Sequence, residues 1–392
     1  MKRVFGSEVL LLFVVTLCCD FAFATYLPCK VPDEGALQPG EYKFHFGLTN
    51  YWQGVSGGIH TKNPSRISGL YDLDFCYLVS AQEHKEGLGD YVLLGVSAQS
   101  SFGEGITDSK VGSFFNLNEG VKGNYAIIAD KLFVEFTAND RLFTFNVGKI
   151  DMVDYFDHSA VANEFKDQFF AYPLVQTDNI PFPSKGLGIR AQLDPDPFWY
   201  AEAGIGDAKA SSKETGFNTA FGNDAEQFSI GEIGIRPNLF NMKGTYRFMI
   251  WYDTQDKSHL DDSGHIKHGD TGFAMSFDQQ LTEKLTGFFR YGWADEKVNE
   301  EEDFVSFGAQ IEGLIEGREK DVFAVGYALG IRSPDGLSFD DARNINLIET
   351  YYRIQVNDNI QISPDIQLVT HPGGLEKESP AIIYGLRLRI KF

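Results

Sequence analysis

Six arginines, Arg190, Arg247, Arg290, Arg353, Arg387 and Arg389, fall at alternate positions of short amphipathic segments. So do the carboxylates Asp72, Asp74, Glu135, Glu202, Glu349 and Asp365. In a pleated strand this alternation collects them on one side, opposite a side of Phe, Tyr, Leu and Ile. Guanidinium forks supply fixed donors and carboxylates supply acceptors, a set suited to exchanging hydrogen bonds with the hydroxyls of a polyol. Trp251 and Tyr351 share the polar side by phase and could stack on the apolar face of a pyranose. The same residues also suit a plainer role, because opposed Arg and Glu side chains stiffen the wall of any water-filled barrel.

Other chemistry is thin. His259, His265 and His268 cluster with Asp261, Asp262 and Asp270, but their spacing matches no strong ligand motif, and the segment reads as a solvated loop with no metal. Gly54-Val-Ser-Gly-Gly58 lacks the strand-to-helix context of a nucleophile elbow, and Gly204-Ile-Gly206 lacks a third glycine and a following helix. Neither a catalytic constellation nor a cofactor cradle emerges.

The elements that must position the polar side are strands. Amphipathic segments recur sixteen times from Tyr42 to the C-terminus, and the last shows the pattern best: Tyr384, Leu386, Leu388, Ile390 and Phe392 fall on one face, Gly385, Arg387, Arg389 and Lys391 on the other. Between Val322 and Arg332, Phe323, Val325, Tyr327, Leu329 and Ile331 form an unbroken apolar face, while Ala324, Gly326, Ala328 and Gly330 are small enough to leave room for water. Short links such as Asn139-Asp-Arg141 and Asn357-Asp-Asn359 alternate with long ones such as Gly103–Asp130 and Ile150–Gly186. This pattern predicts an all-β, transmembrane antiparallel barrel of about sixteen strands, with short periplasmic turns, long extracellular loops and hydrocarbon against the apolar face. In the eighth segment Ile230 and Ile233 demand opposite phases, and Pro364 predicts a bulge or kink in the fifteenth.

The long link Ile150–Gly186 carries Tyr155, Phe156, Phe165, Phe169, Phe170 and Tyr172, too apolar a set to wave in water. It is expected to fold into the barrel as a constriction, the alternative being to pack over the outer rim. The ends and the composition fit this picture. Lys2 and Arg3, the apolar run Val9–Leu17 and Ala22-Phe-Ala24 read as a signal peptide over 1–24, followed by a short periplasmic segment, 25–40, and a barrel over 41–392. No later run is long enough for a membrane-spanning helix. The segment 25–40 is too short for a plug domain. The 34 Phe, 17 Tyr and 40 Gly favour half-buried pleated surfaces and tight turns. A net charge of −21 argues against nucleic acid and fits acidic outer loops that meet lipopolysaccharide. Cys29 and Cys76 could form a bridge or remain thiols.

Three stretches then resemble the carbohydrate-selective porins of the OprB type. One is Phe145-Asn-Val-Gly-Lys149 with Asp154-Tyr-Phe-Asp157, Ala162-Asn-Glu-Phe165, Ile180-Pro-Phe-Pro183 and Gly186-Leu-Gly188. Another is Glu349-Thr-Tyr-Tyr-Arg353 with Ile360-Gln-Ile-Ser-Pro-Asp-Ile-Gln367 and His371-Pro-Gly-Gly374. The third is Gly385-Leu-Arg-Leu-Arg-Ile-Lys-Phe392. With Val55-Ser-Gly-Gly58 they run in order through nearly the whole chain, although the Trp-Gly-Gly segment common before the first strand is missing. The resemblance implies a single-chain outer-membrane channel, inserted by the barrel-assembly machinery through Phe392, that admits small neutral sugars such as glucose by diffusion. A general or anion-selective porin is the alternative, and an outer-membrane barrel enzyme a more distant one.

Overall fold

Alternating apolar and polar residues can satisfy both hydrocarbon and water only if the sheet closes on itself, since an open edge in lipid would leave backbone N–H and C=O groups without partners. The computed structural model describes residues 37–57, 64–84, 87–222, 224–261, 263–335 and 343–392, and it closes. Sixteen long strands run antiparallel in chain order: β1 Tyr42–Ser56, β2 Ser65–His84, β3 Gly87–Gly103, β4 Tyr125–Ala138, β5 Phe143–Ile150, β6 Gly186–Asp196, β7 Trp199–Asp207 and β8 Gln227–Ile235. They continue as β9 Met242–Ser258, β10 Ile266–Gln280, β11 Leu285–Ala294, β12 Glu301–Glu312, β13 Val322–Arg332, β14 Ile345–Gln355, β15 Ile360–Thr370 and β16 Ala381–Lys391. A two-residue rung, Asn238–Leu239 against Met242–Lys243, extends the β8–β9 turn. The ring is sealed by β1 against β16, in register from Gly47↔Lys391 to Ser56↔Ile382.

Burial alternates as the hydrocarbon requires. Along β16, Ile382, Tyr384 and Leu386 are exposed to the outside, whereas Ile383, Gly385, Arg387 and Arg389 are covered. In β8, Ile230 is 3% exposed and Ile233 57%, so the conflict of phase resolves with Ile230 inside, under the apolar cluster of Phe156, Phe228 and Trp251. Pro364 produces no bulge. The β15–β16 register runs unbroken through Pro364↔Leu386, and the ladder to β14 passes from Tyr351↔Asp365 to Ile354↔Ile362 without a shift. The missing donor is absorbed as a local gap in one ladder, because proline's fixed φ suits an extended strand.

The long link between β5 and β6 folds into the barrel. Phe156, Phe169, Phe170 and Leu174 are fully buried, each such phenylalanine contributing roughly 1.5–3 kcal/mol by leaving water. The link between β3 and β4 follows it: Ile106, Val111, Phe115 and Leu117 are equally buried and join Phe169 and Leu174 in one cluster against the inner wall. The two links are stitched together by Tyr172 N donating to Asn116 O at 2.9 Å and Glu119 N donating to Phe170 O at 2.8 Å. The small residues of β13 therefore do not leave room for water. A side chain at Gly326 would meet Leu174 and Phe169, and one at Gly330 would meet Phe115. Cys76, buried on the inner face of β2, is disulfide-bonded, and its partner lies outside the described residues, as do the proposed signal peptide and Cys29.

Candidate functional site

The lumen is built from a wall, an inward loop and the contacts that fix one to the other. Arg290 on β11 is 0% exposed and is devoted to the loop. Its Nε donates to Asp157 Oδ1 at 3.1 Å, and its Nη2 donates to the main-chain oxygens of Asp157 (3.1 Å), Ala162 (2.5 Å) and Val175 (3.3 Å). Asp157 sits in the left-handed region at φ 57°, a conformation aspartate tolerates, and also accepts from Thr177 N at 2.5 Å and Thr177 Oγ1 at 3.0 Å. One buried guanidinium thus clamps residues 157, 162 and 175 of the loop at once.

Neighbouring wall residues repeat the device. Glu349 accepts from Phe170 N at 2.5 Å and Ala171 N at 3.0 Å. Arg387, 1% exposed, donates to Phe165 O (2.6 Å) and Gln168 O (2.8 Å) and lies over the Phe170 ring at 4.5 Å. Asp167 of the loop gathers Arg389 and, at 3.1 Å, Lys391, while Arg353 donates to its carbonyl at 3.3 Å. These cations hold the Asp167 carboxyl well below the usual carboxylate range despite its burial. Tyr351 meets Phe169 edge-on at 5.1 Å, Trp251 lies near-parallel to Phe228 at 6.4 Å beneath Phe156, and Asp365 accepts from Gln367 at 3.2 Å.

The remaining residues read from the sequence form ladders along the wall. Arg190 pairs with Glu202 at 2.5 Å, donates to Asn146 at 3.3 Å and lies over the Tyr155 ring at 5.1 Å. Glu135 accepts from Tyr91 Oη at 2.6 Å and Asn146 Nδ2 at 2.7 Å. Arg247 lies 3.5 Å from Asp278 and 4.0 Å from Glu232. All twelve, Arg190, Arg247, Arg290, Arg353, Arg387, Arg389, Glu135, Glu202, Glu349, Asp365, Trp251 and Tyr351, are on the inner side, and none borders the open cavity. Arg290, Glu349, Tyr351, Arg353, Arg387 and Arg389 are turned to the inward loop, while Glu135 and Arg247 are engaged by other wall residues.

The cavity, about 700 Å³, lies between the loop and the wall of β2 to β4. Asp72 and Asp74 reach it from β2, Ser97 and Gln99 from β3, and Tyr125, Asp130 and Lys131 from the β4 region. Facing them are Asp151, Asp154, Asn163, Glu164, Phe165, Lys166, Tyr172, Gln176 and Lys185 of the long loop, with Glu119 and Lys122 of the link before β4. Its lysines are paired. Lys131 meets Asp154 at 2.6 Å, Lys166 meets Asp72 at 3.1 Å, Lys185 meets Asp130 and Lys122 meets Glu119, while Lys213 lies over the Tyr125 ring at 5.6 Å. Sequence phase could not find this set, because most of it sits on loops. One signal was available: Ile345, Leu347, Val369 and Ile383 are apolar at inward positions of β14 to β16, which demands an internal cover.

Burial first, and then the charge of Asp154 beside it, push the Asp151 carboxyl up to about 6, and burial raises Glu164 as well. A raised carboxyl is ionised above its pKa and neutral below it, so acidification removes negative charge from the cavity while the lysines keep theirs. The zero-current potential in a potassium chloride gradient should shift toward chloride preference as pH falls from near neutral to about 5. Asp151→Asn should reproduce part of that shift at neutral pH. An unchanged potential across this range would mean that these carboxyls do not face the ion path.

In the histidine-rich loop, where Asp262 lies outside the described residues, His268 Nδ1 lies 2.7 Å from Asp256 at the surface and the His259 and His265 rings are 5.8 Å apart. Among the described residues, His45, Asp72 and Asp74 bring ligand atoms together, but Lys166 neutralises Asp72, and Ser97 donates to Asp74 at 2.5 Å.

The family described as carbohydrate-selective porin, OprB family, matches residues 84–392. Porin AaxA of Chlamydia abortus is 23% identical over 252 residues, covering 64% of this chain and 54% of that relative. Porin B of Pseudomonas aeruginosa is 20% identical over 256 residues, covering 55% and 56%. The chain thus spans about half the length of the curated relatives it matches. The high-pH structure of Pseudomonas putida OprB superposes with a TM-score of 0.77 at 16% identity, covering 90% of this chain and 94% of that one. Outer-membrane-expressed OmpT of Vibrio cholerae gives a TM-score of 0.53 at 10% identity, covering 91% and 99%. At these identities the structural likeness is one of fold.

Proposed function

Since the chain belongs to the carbohydrate-selective porin family OprB and folds as an outer-membrane barrel, we propose that it passes small neutral sugars such as glucose by diffusion through the cavity beside the long loop. The observation that carries this reading is the pairing of charge around the cavity. Lysines and carboxylates neutralise one another at short range, so the walls offer many donors and acceptors with little net attraction for an anion. A neutral polyol can trade hydrogen bonds to water for hydrogen bonds to such a wall, and weak sites in series let it leave again. Phe165 and Tyr125 add aromatic surface at the same place.

Arg290, Glu349, Arg353, Arg387 and Arg389 act, in this reading, by positioning the loop and not by touching solute. That weakens the alternative of an anion-selective pore, which needed the arginines free: Arg290 and Arg387 spend their donors on loop carbonyls. Assembly through the terminal Phe392 and contact of the acidic outer loops with lipopolysaccharide belong to the same proposal. The test is solute flux into liposomes carrying the full chain. Glucose and arabinose should enter faster than a disaccharide or gluconate, and addition of phosphate should leave glucose entry unchanged. Equal entry of gluconate and glucose, or competition by phosphate, would overturn the reading in favour of an anion pore.

A further inference from the structure

Buried polar atoms are ordinarily paired, so an orphan beside a cavity asks what it is waiting for. Gln176 is such a residue. It is 2% exposed, it borders the cavity, and its Oε1 has no hydrogen-bond partner. Its backbone is held firmly: Gln176 N donates to Tyr172 O at 2.9 Å at the end of the helical turn Tyr172–Val175, and its neighbours Val175 and Thr177 are fixed by Arg290 and Asp157. Asn163, on the same loop and bordering the same cavity, has an unpartnered Oδ1. Both oxygens are acceptors without charge, and seven carboxylates against five lysines line the cavity around them.

Resting on the sugar-passage reading above, we infer that Gln176 and Asn163 form a subsite that reads hydroxyl donors and sets the preference of the channel for uncharged sugars over sugar acids. An amide oxygen accepts from a sugar hydroxyl in exchange for water, whereas the carboxylate group of a sugar acid brings only acceptors to these two oxygens. The surplus of fixed carboxylates adds repulsion toward a uronate. The chemical class admitted is therefore a neutral pyranose or polyol, with glucuronate the matched solute that is refused.

The experiment uses the full chain in planar bilayers, with glucose and glucuronate as probes of ion-current block. Gln176→Met keeps length and volume but removes the acceptor. It should raise the glucose concentration for half-block about fivefold, the factor expected for one lost hydrogen bond, with ion conductance unchanged. Gln176→Glu retains acceptors but adds negative charge and should weaken block by glucuronate more than block by glucose. If Gln176→Met fails to insert, Asn163→Leu carries the same prediction. Unaltered glucose block in Gln176→Met and Asn163→Leu, with the wild type blocked normally, overturns the subsite and leaves sugar passage standing. A wild type that glucose never blocks and that admits no glucose into liposomes removes the sugar reading and this inference together.

Discussion

Replacing Arg290 with methionine should free the long loop and raise single-channel conductance on the order of twofold, because a sixteen-stranded wall without its internal cover encloses an aqueous channel. The side chain is wholly buried and satisfies carbonyls at three separated points of the loop. Methionine fills much of the volume but leaves the Asp157 carboxylate buried without its ion pair, a loss of roughly 3–5 kcal/mol. The barrel itself does not depend on that pair, since its ladders and lipid-facing side are untouched, so the variant should insert and resist heat-induced unfolding in detergent as the wild type does. Arg290→Lys should be intermediate, because one ammonium cannot reach carbonyls spread around a planar fork. Wild-type conductance together with an unchanged rate of protease cleavage within residues 157–175 would show that the clamp is dispensable.

Gly326→Leu should open the pore by the opposite route, adding atoms where Arg290→Met removes them. A Cβ at this position would already lie 2.8 Å from Leu174 and 3.0 Å from the Phe169 ring, and the remaining leucine atoms would need the same space. Overpacking of this kind costs about 1–3 kcal/mol, which the wall cannot relieve because its strands are pinned in register. The loop must then lift, and conductance should rise while discrimination between glucose and a disaccharide falls. Gly231→Ala is the control. Its nearest neighbours lie 4.0 Å from the added carbon, and it should behave as wild type. If Gly326→Leu conducts and discriminates as the wild type does, the loop is not seated against β13.

The wall was legible in the sequence because hydrocarbon and water impose a strict two-residue period, and segments such as Phe323–Ile331 and Tyr384–Phe392 obey it without exception. Reading which residues face inward is therefore reading parity. Parity is silent about what lies across the lumen. It places Arg290, Glu349 and Arg387 on the inner side, yet whether they meet solvent or a loop depends on residues 115 to 222 positions away in the chain. The loop residues Asp151, Glu164, Lys166 and Gln176 obey no period at all, and their approach to Asp72 or Lys131 is a product of tertiary packing. The apolar inward residues Leu347, Val369 and Ile383 were the legible trace of the second inward link, as breaks in an otherwise polar face. Ile230 was another such break, and its conflict with Ile233 was information, not noise.

The seam between β1 and β16 joins the first strand to the last, with Gly47 opposite Lys391. Every other neighbour pair joins strands adjacent in the chain, but the front strand keeps an unsatisfied flank until the last strand reaches it. Closure thus rests on the most distant partnership in the molecule, whose loop entropy is the largest of any strand pair here. Loss of Ala381–Lys391 would remove one stave of sixteen but all of the closure, leaving open edges prone to aggregation instead of a narrower tube.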